Sequence, residues 1–221
     1  MITAHSGCDH TADNSLEFIE YALSLPVEAL EVDVRKSANG ELILSHDETD
    51  EEAVLLATAF ELLKAHPEKK INCDLKNQGI EADVVALAKQ YGVDAQLIFT
   101  GWVNPELFRK GNVVFPQVTW YANLEVLFPD FDEWEGDGRT DEELQERLGQ
   151  LLLELTQYEA PGFNLHYGLA NQVWEKAHEL GLGASVWTVN DPELQELWLK
   201  RGAANITTRK VAQLLSLKQN L

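Results

Sequence analysis

Ala29-Leu30-Glu31-Val32-Asp33-Val34-Arg35 runs into the turn Ser37-Ala38-Asn39-Gly40 and returns as Leu42-Ile43-Leu44-Ser45-His46-Asp47. The first run is rich in Val and Leu and holds nothing that breaks extension, so it reads as a strand. Glu31 and Asp33 are two apart, and a strand points both to the same side. Two neighbouring carboxylates repel, and burying them is costly unless a cation pairs them. Asn39-Gly40 tolerates positive φ, as a tight hairpin requires. Folding back about it brings His46 beside Asp33. Glu31, Asp33 and His46 would then converge as two hard oxygen donors and a titratable imidazole. The same pattern also fits an exposed edge hairpin with solvated charges.

Outward from this hairpin, strand and helix signals alternate. Setting the return strand aside, eight strands begin near residues 2, 29, 70, 96, 113, 162, 184 and 204. Helical stripes lie mostly between them, at 80–91, 104–110, 170–180 and 192–201, with a last helix from 209. Asn14 with Glu17, and Thr140 with Glu143, look like capped helix starts. Residues 121–139 are irregular and carry Phe128, Phe131 and Trp134 among many carboxylates, as a solvated loop or a lid over a site would. Eight such units predict an α/β fold, a TIM (β/α)8 barrel with an added β-hairpin after the second strand, in one domain over 1–221. The alternative is a doubly wound open sheet, but no Gly-rich phosphate fingerprint follows the first strand.

Composition narrows the function. The 221 residues are 45% hydrophobic, enough for a large core, and no run of 18 apolar residues suggests a membrane span. The net charge of -20 disfavours nucleic acid and anionic membranes as partners. An anionic substrate would need local neutralisation, which a bound metal could supply. No signal peptide is visible, and Cys8 and Cys73 have no metal-ligand spacing. They read as reduced thiols of a cytoplasmic protein.

Further candidates fall at strand ends, where α/β barrels place their chemistry. His5 ends the first strand. Asp74 and Lys76 share a face at the end of the strand from residue 70, either as a surface ion pair or as a third metal oxygen and a phosphate contact.

In this order, His5-Ser6-Gly7, Asp13-Asn14-Ser15-Leu16, Glu31-Val32-Asp33-Val34, His46-Asp47, Asp74-Leu75-Lys76 and Trp187-Thr188-Val189-Asn190 resemble the motifs of glycerophosphodiester phosphodiesterases. The likeness spans almost the whole chain. It implies a TIM barrel related to the phosphatidylinositol phospholipase C type, a divalent metal (Mg2+ or Ca2+), and hydrolysis of a glycerophosphodiester to an alcohol and sn-glycerol 3-phosphate. By position it implies Glu31, Asp33 and Asp74 as metal ligands, and His5 and His46 as the catalytic pair. Ser6, Lys76 and Trp187 would line the substrate pocket. The pattern departs from the family at Ser6, where an Arg contacts phosphate, at Asp13 and Asp74, where Glu is usual, and at Thr208, where Asp is usual. Losing that Arg removes a bidentate phosphate contact that Ser cannot reproduce. Ser6 and Thr208 therefore leave open a second reading, a barrel that binds a phospho-ligand or a partner without turnover.

Overall fold

A computed structural model describes residues 1–49, 52–127 and 141–220. Its nine strands are β1 (Ile2–Ala4), β2 (Ala29–Lys36), β3 (Leu42–Leu44), β4 (Lys70–Leu75), β5 (Leu97–Gly101), β6 (Thr119–Asn123), β7 (Gly162–His166), β8 (Gly183–Trp187) and β9 (Asn205–Thr208). Eight of them pair in parallel in the order β1-β9-β8-β7-β6-β5-β4-β2, and β1 pairs with β2 to close the ring. This is a TIM barrel. The ninth strand, β3, lies antiparallel on β2 with Val34 opposite Leu44, forming the added hairpin. The helices are α1 (Leu16–Ser24), α2 (Leu56–Leu63), α3 (Glu81–Tyr91), a single turn α4 (Leu124–Leu127), α5 (Asp141–Leu155), α6 (Tyr167–Glu179), α7 (Pro192–Arg201) and α8 (Val211–Gln219). Among the described residues, no helix is long and apolar enough to cross a membrane.

Alternation along β2 explains how the core and the site separate. Leu30, Val32 and Val34 are buried in one cluster with Phe18 and Ile19 of α1, while Glu31 and Asp33 take the other side of the strand. The close pairing of β7 with β8 requires glycine, because a Cβ at Gly162 would stand 1.8 Å from the Gly183 carbonyl oxygen.

Barrel interiors are usually layers of branched aliphatics. Here a polar belt crosses the barrel. Thr3 Oγ1 donates to Asn205 Oδ1 at 2.7 Å, Asn205 Nδ2 to Ser185 Oγ at 3.0 Å, Ser185 Oγ to Asn164 Oδ1 at 2.8 Å, and Asn164 Nδ2 to Asn123 Oδ1 at 3.1 Å. All five side chains are buried. Each is partnered, so the belt avoids the penalty of an unsatisfied buried polar group.

Several local expectations shift. The fifth barrel strand, β6, is Thr119–Asn123, not the run beginning at Val113. Pro116 removes a ladder donor from that run, which forms a loop closed by the Val118 N–H donating to the Phe115 carbonyl. The start of the stretch 121–139 is therefore strand and a helical turn; Phe128, Phe131, Trp134 and the expected cap Thr140 lie outside the described residues. Residues 105–108 form a short 3-10 turn in place of a helix over 104–110. The first helix is capped by Ser15, whose side chain accepts from the Phe18 N–H, and not by Asn14.

Candidate active site

The carboxylates converge because of register. Asp33 of β2 stands opposite Asp74 of β4, and Glu31 precedes Asp33 by one strand repeat. Glu31, Asp33 and Asp74 each present an oxygen within 4.8 Å of the other two. Glu31 and Asp33 are buried and Asp74 is half-buried. Three such hard oxygens, which one lysine neutralises only in part, are a donor set that fits a divalent metal. They border a cavity of about 560 Å³ at the C-terminal ends of the strands.

Each carboxylate is held differently. Glu31 Oε2 accepts the Ser6 backbone N–H at 3.1 Å and lies 3.7 Å from His5 Nδ1. Burial pushes the Glu31 carboxyl up to about 7; His5 opposes the shift, and Asp33 and Asp74 add to it. Asp33 Oδ2 accepts from Asn14 Nδ2 at 2.8 Å, and Oδ1 lies 3.0 Å from Lys76 Nζ. Burial works against ionised Asp33, but Lys76 and the Asn14 hydrogen bond outweigh it and hold the carboxyl below the usual range. Asp74 meets Lys76 Nζ at 2.5 Å and Thr100 Oγ1 at 3.1 Å. Lys76 thus bridges Asp33 and Asp74. Burial would lower its pKa, yet the two carboxylates leave it raised. Gly101 has φ +78°, and a Cβ there would stand 2.5 Å from Asp74 Oδ1, so the backbone leaves that oxygen its room.

The two histidines border the same cavity from different depths. His5 follows β1 with its side chain 20% exposed, whereas His46 follows β3 with 66% exposed. The Ser45 N–H donates to the Asp33 carbonyl, which ties the segment before His46 to β2. His5 Nδ1 lies 3.0 Å from the Ser6 carbonyl and His46 Nδ1 lies 2.9 Å from Asp47 Oδ1. Both partners can only accept, so in these contacts Nδ1 carries the proton and Nε2 is left for chemistry. Trp187 also lines the cavity, from the end of β8.

Ser6 is the exception. Its side chain is fully buried, its hydroxyl stands 3.4 Å from Asp33 Oδ2, and it does not line the cavity. The backbone of the loop after β1 turns inward to give its N–H to Glu31. Ser6 therefore supports the carboxylates and offers no direct contact to a molecule in the cavity.

Three further residues matter here: Asn14, which the sequence pointed to only as a helix cap and within a family motif, and Arg209 and Glu125, which local sequence does not flag. Asn14 clamps Asp33, donating to its carboxylate and accepting its backbone N–H at 3.0 Å. Arg209, just after β9, lines the cavity and forks onto Asp13 with contacts of 2.5 and 2.9 Å. Glu125, in α4, lines the opposite wall. Only the positive φ of Asn14, 53°, matches a residue type prone to it, and sequence alone does not reveal that φ.

No protein-family model matches the sequence, and no curated protein matches it. Solved structures do. A glycerophosphodiester phosphodiesterase from Parabacteroides distasonis superposes with a TM-score of 0.73 at 17% identity, over 99% of this chain and 97% of its own. A glycerophosphodiester phosphodiesterase from Agrobacterium tumefaciens gives 0.67 at 17% identity, over 97% and 98%. A phosphodiesterase from Oleispira antarctica, solved with its product sn-glycerol 3-phosphate, gives 0.65 at 17% identity, over 99% and 96%. This chain therefore has, along nearly all of its length, the barrel fold seen in these phosphodiesterases.

Proposed function

We propose that the protein is a phosphoric diester hydrolase that splits a glycerophosphodiester into an alcohol and sn-glycerol 3-phosphate. One observation carries this reading: two histidines and a buried carboxylate triad meet at one cavity, at the strand ends of a barrel shared with glycerophosphodiester phosphodiesterases. The substrate is a small diester taken up by one barrel unit over 1–221, with no nucleic acid involved.

Glu31, Asp33 and Asp74 would hold the divalent cation, Mg2+ or Ca2+, whose charge would offset that of the phosphoryl oxygens. Among the described residues, Lys76 and Arg209 are the Lys and Arg side chains that border the cavity, and they orient the phosphate. His5, deep and beside Glu31, acts as base and removes the proton from the attacking hydroxyl or water. As the new P–O bond forms, the bond to the leaving alcohol breaks. His46, at the open rim where an alcohol can depart, gives that oxygen its proton.

Hydrolysis of glycerophosphocholine and of bis(p-nitrophenyl) phosphate, with added Mg2+ or Ca2+ and with a chelator, tests the reading. Turnover that needs the cation and is lost in His5→Ala and His46→Ala is expected. Binding of glycerol 3-phosphate without turnover of either diester would instead favour a barrel that recognises a phospho-ligand and does not cleave it.

A further inference from the structure

Glu125 is a carboxylate that the acid–base pair and the triad leave unused. It lies in α4, immediately after β6, and lines the same cavity as Asp74 and Trp187. It stands outside the group whose oxygens approach within 4.8 Å, so it is not one of the clustered carboxylates. Its Oε1 accepts from Asn123 Nδ2 at 2.7 Å. That amide has one possible orientation. Asn123 Oδ1 already accepts the Gly101 N–H at 2.9 Å and Asn164 Nδ2 at 3.1 Å, so only its NH2 can face Glu125. The polar belt of the barrel thus ends on Glu125 and fixes it.

The other oxygen, Oε2, is shielded from solvent and has no hydrogen-bond partner. Trp187, which lines the same cavity, has its Nε1 shielded and unpartnered too. As a carboxylate Glu125 offers only acceptors, whereas Trp187 Nε1 is a donor. An ionised phosphate oxygen can only accept, so it satisfies Trp187 and repels Glu125. A hydroxyl donates and accepts, so it can satisfy either. Burial pushes the Glu125 carboxyl up to about 7, and a hydroxyl donor would relieve part of that desolvation.

We propose that Glu125 selects the glycerol end of the substrate by accepting a hydrogen bond from a glycerol hydroxyl at its carboxylate, Oε2 turning out of its shielded position as the ligand enters. The assignment rests on the hydrolase reading and goes beyond it by naming what distinguishes a glycerol diester from other diesters. A pocket built to pair a hydroxyl discriminates against a ligand lacking one, because its own buried group is then stranded.

The test compares Glu125→Ala and Glu125→Gln with wild type on two diesters, glycerophosphocholine and bis(p-nitrophenyl) phosphate, which has no hydroxyl. Thermal melts show that the variants are folded. Glu125→Ala should lower kcat/KM for glycerophosphocholine about tenfold or more and leave bis(p-nitrophenyl) phosphate within about twofold. Glu125→Gln, which keeps an acceptor, should fall between. Equal losses on both diesters, or no loss on either, would overturn the proposal. If wild type cleaves neither diester, the hydrolase reading is what fails. Calorimetry in the presence of Mg2+ then decides the matter for Glu125. Glu125→Ala should weaken glycerol 3-phosphate about tenfold and leave inorganic phosphate unchanged; parallel changes, or no binding of glycerol 3-phosphate to wild type, would overturn it.

Discussion

Replacing Asn14 removes two buried hydrogen bonds that join the loop before α1 to β2. Asn14 and Asp33 are 7% and 3% exposed, so neither lost partner is readily replaced by water. The bond from Nδ2 to the Asp33 carboxylate, 2.8 Å long, is charge-assisted and worth about 1.5–3 kcal/mol. The bond accepted from the Asp33 N–H, 3.0 Å long, is worth about 0.5–1.5 kcal/mol. Asn14 has φ 53°, and an Ala held there adds about 1 kcal/mol of strain. Asn14→Ala should therefore cost about 3–5 kcal/mol, a large part of an ordinary domain's stability. Asn14→Asp keeps the backbone preference and the acceptor, but sets a carboxylate oxygen against Asp33 Oδ2. It isolates the charge-assisted bond and should cost about 2–4 kcal/mol in chelator, with less lost when Mg2+ or Ca2+ is added. Urea unfolding at neutral pH, with and without the cation, reads both variants, and calorimetry reads the cation's affinity. Asn14→Ala should also weaken the cation about tenfold, because Asp33 is no longer aimed. A loss below about 1 kcal/mol with unchanged denaturant slope would refute this account of how Asp33 is held.

His46→Ala should lower kcat on glycerophosphocholine by about 10²–10⁴ and affect the good leaving group of bis(p-nitrophenyl) phosphate far less; equal losses on both would remove His46 from the role of acid. Arg209→Gln should raise KM for glycerophosphocholine about tenfold, with kcat changed little, since it removes a charged phosphate donor and no proton-transfer group; an unchanged KM would leave Arg209 as a partner of Asp13 alone. Without metal, stability should fall as pH rises. The Glu31 carboxyl, raised by burial from 4.5 to about 7, binds its proton more tightly folded than unfolded, so its stabilisation is complete below 4.5 and lost as pH passes through about 7. Melting temperatures in chelator from pH 5 to 8 should fall, and adding the cation should flatten the curve; a flat or rising curve in chelator would contradict a carboxyl held protonated by burial.

The barrel was readable because its strands are short apolar runs spaced by helical stripes, a pattern that survives without tertiary information. It misled at one place. Val113 to Val118 is more β-like in composition than Thr119 to Asn123, yet Pro116 cannot donate to a central ladder, and the strand forms after it. That displacement hid Asn123 and Glu125, because a stretch read as irregular gives no facing direction to its side chains. The carboxylate triad was readable for the opposite reason. Glu31 and Asp33 show period-two spacing in sequence, and Asp74 needs only the ordinary parallel pairing of β2 with β4 to meet them.

Ser6 and Arg209 mark where local pattern stops being informative. Position 6 follows the first histidine and looks like a place for a phosphate contact, but the loop spends that position on the carboxylates, giving its N–H to Glu31 and its side chain to the interior beside Asp33. A cation is still required. With Glu31, Asp33 and Asp74 ionised, Lys76 neutralises one charge and a divalent metal would neutralise two more, so the proposed anionic diester would need a further donor. Among the described residues Arg209 is the other Lys or Arg on the cavity, and it arrives from 196 residues beyond the Asp13 that holds it. Only closure of the barrel, with β1 paired to both β2 and β9, brings the two ends together. Asp13 fixes the guanidinium over Gly7, where a Cβ would stand 1.9 Å from Asp13 Oδ1 and 3.0 Å from the Arg209 terminal nitrogen. A guanidinium paired to Asp13 is thus placed beside the same loop by the opposite end of the chain, which no reading of the first strand alone could reveal.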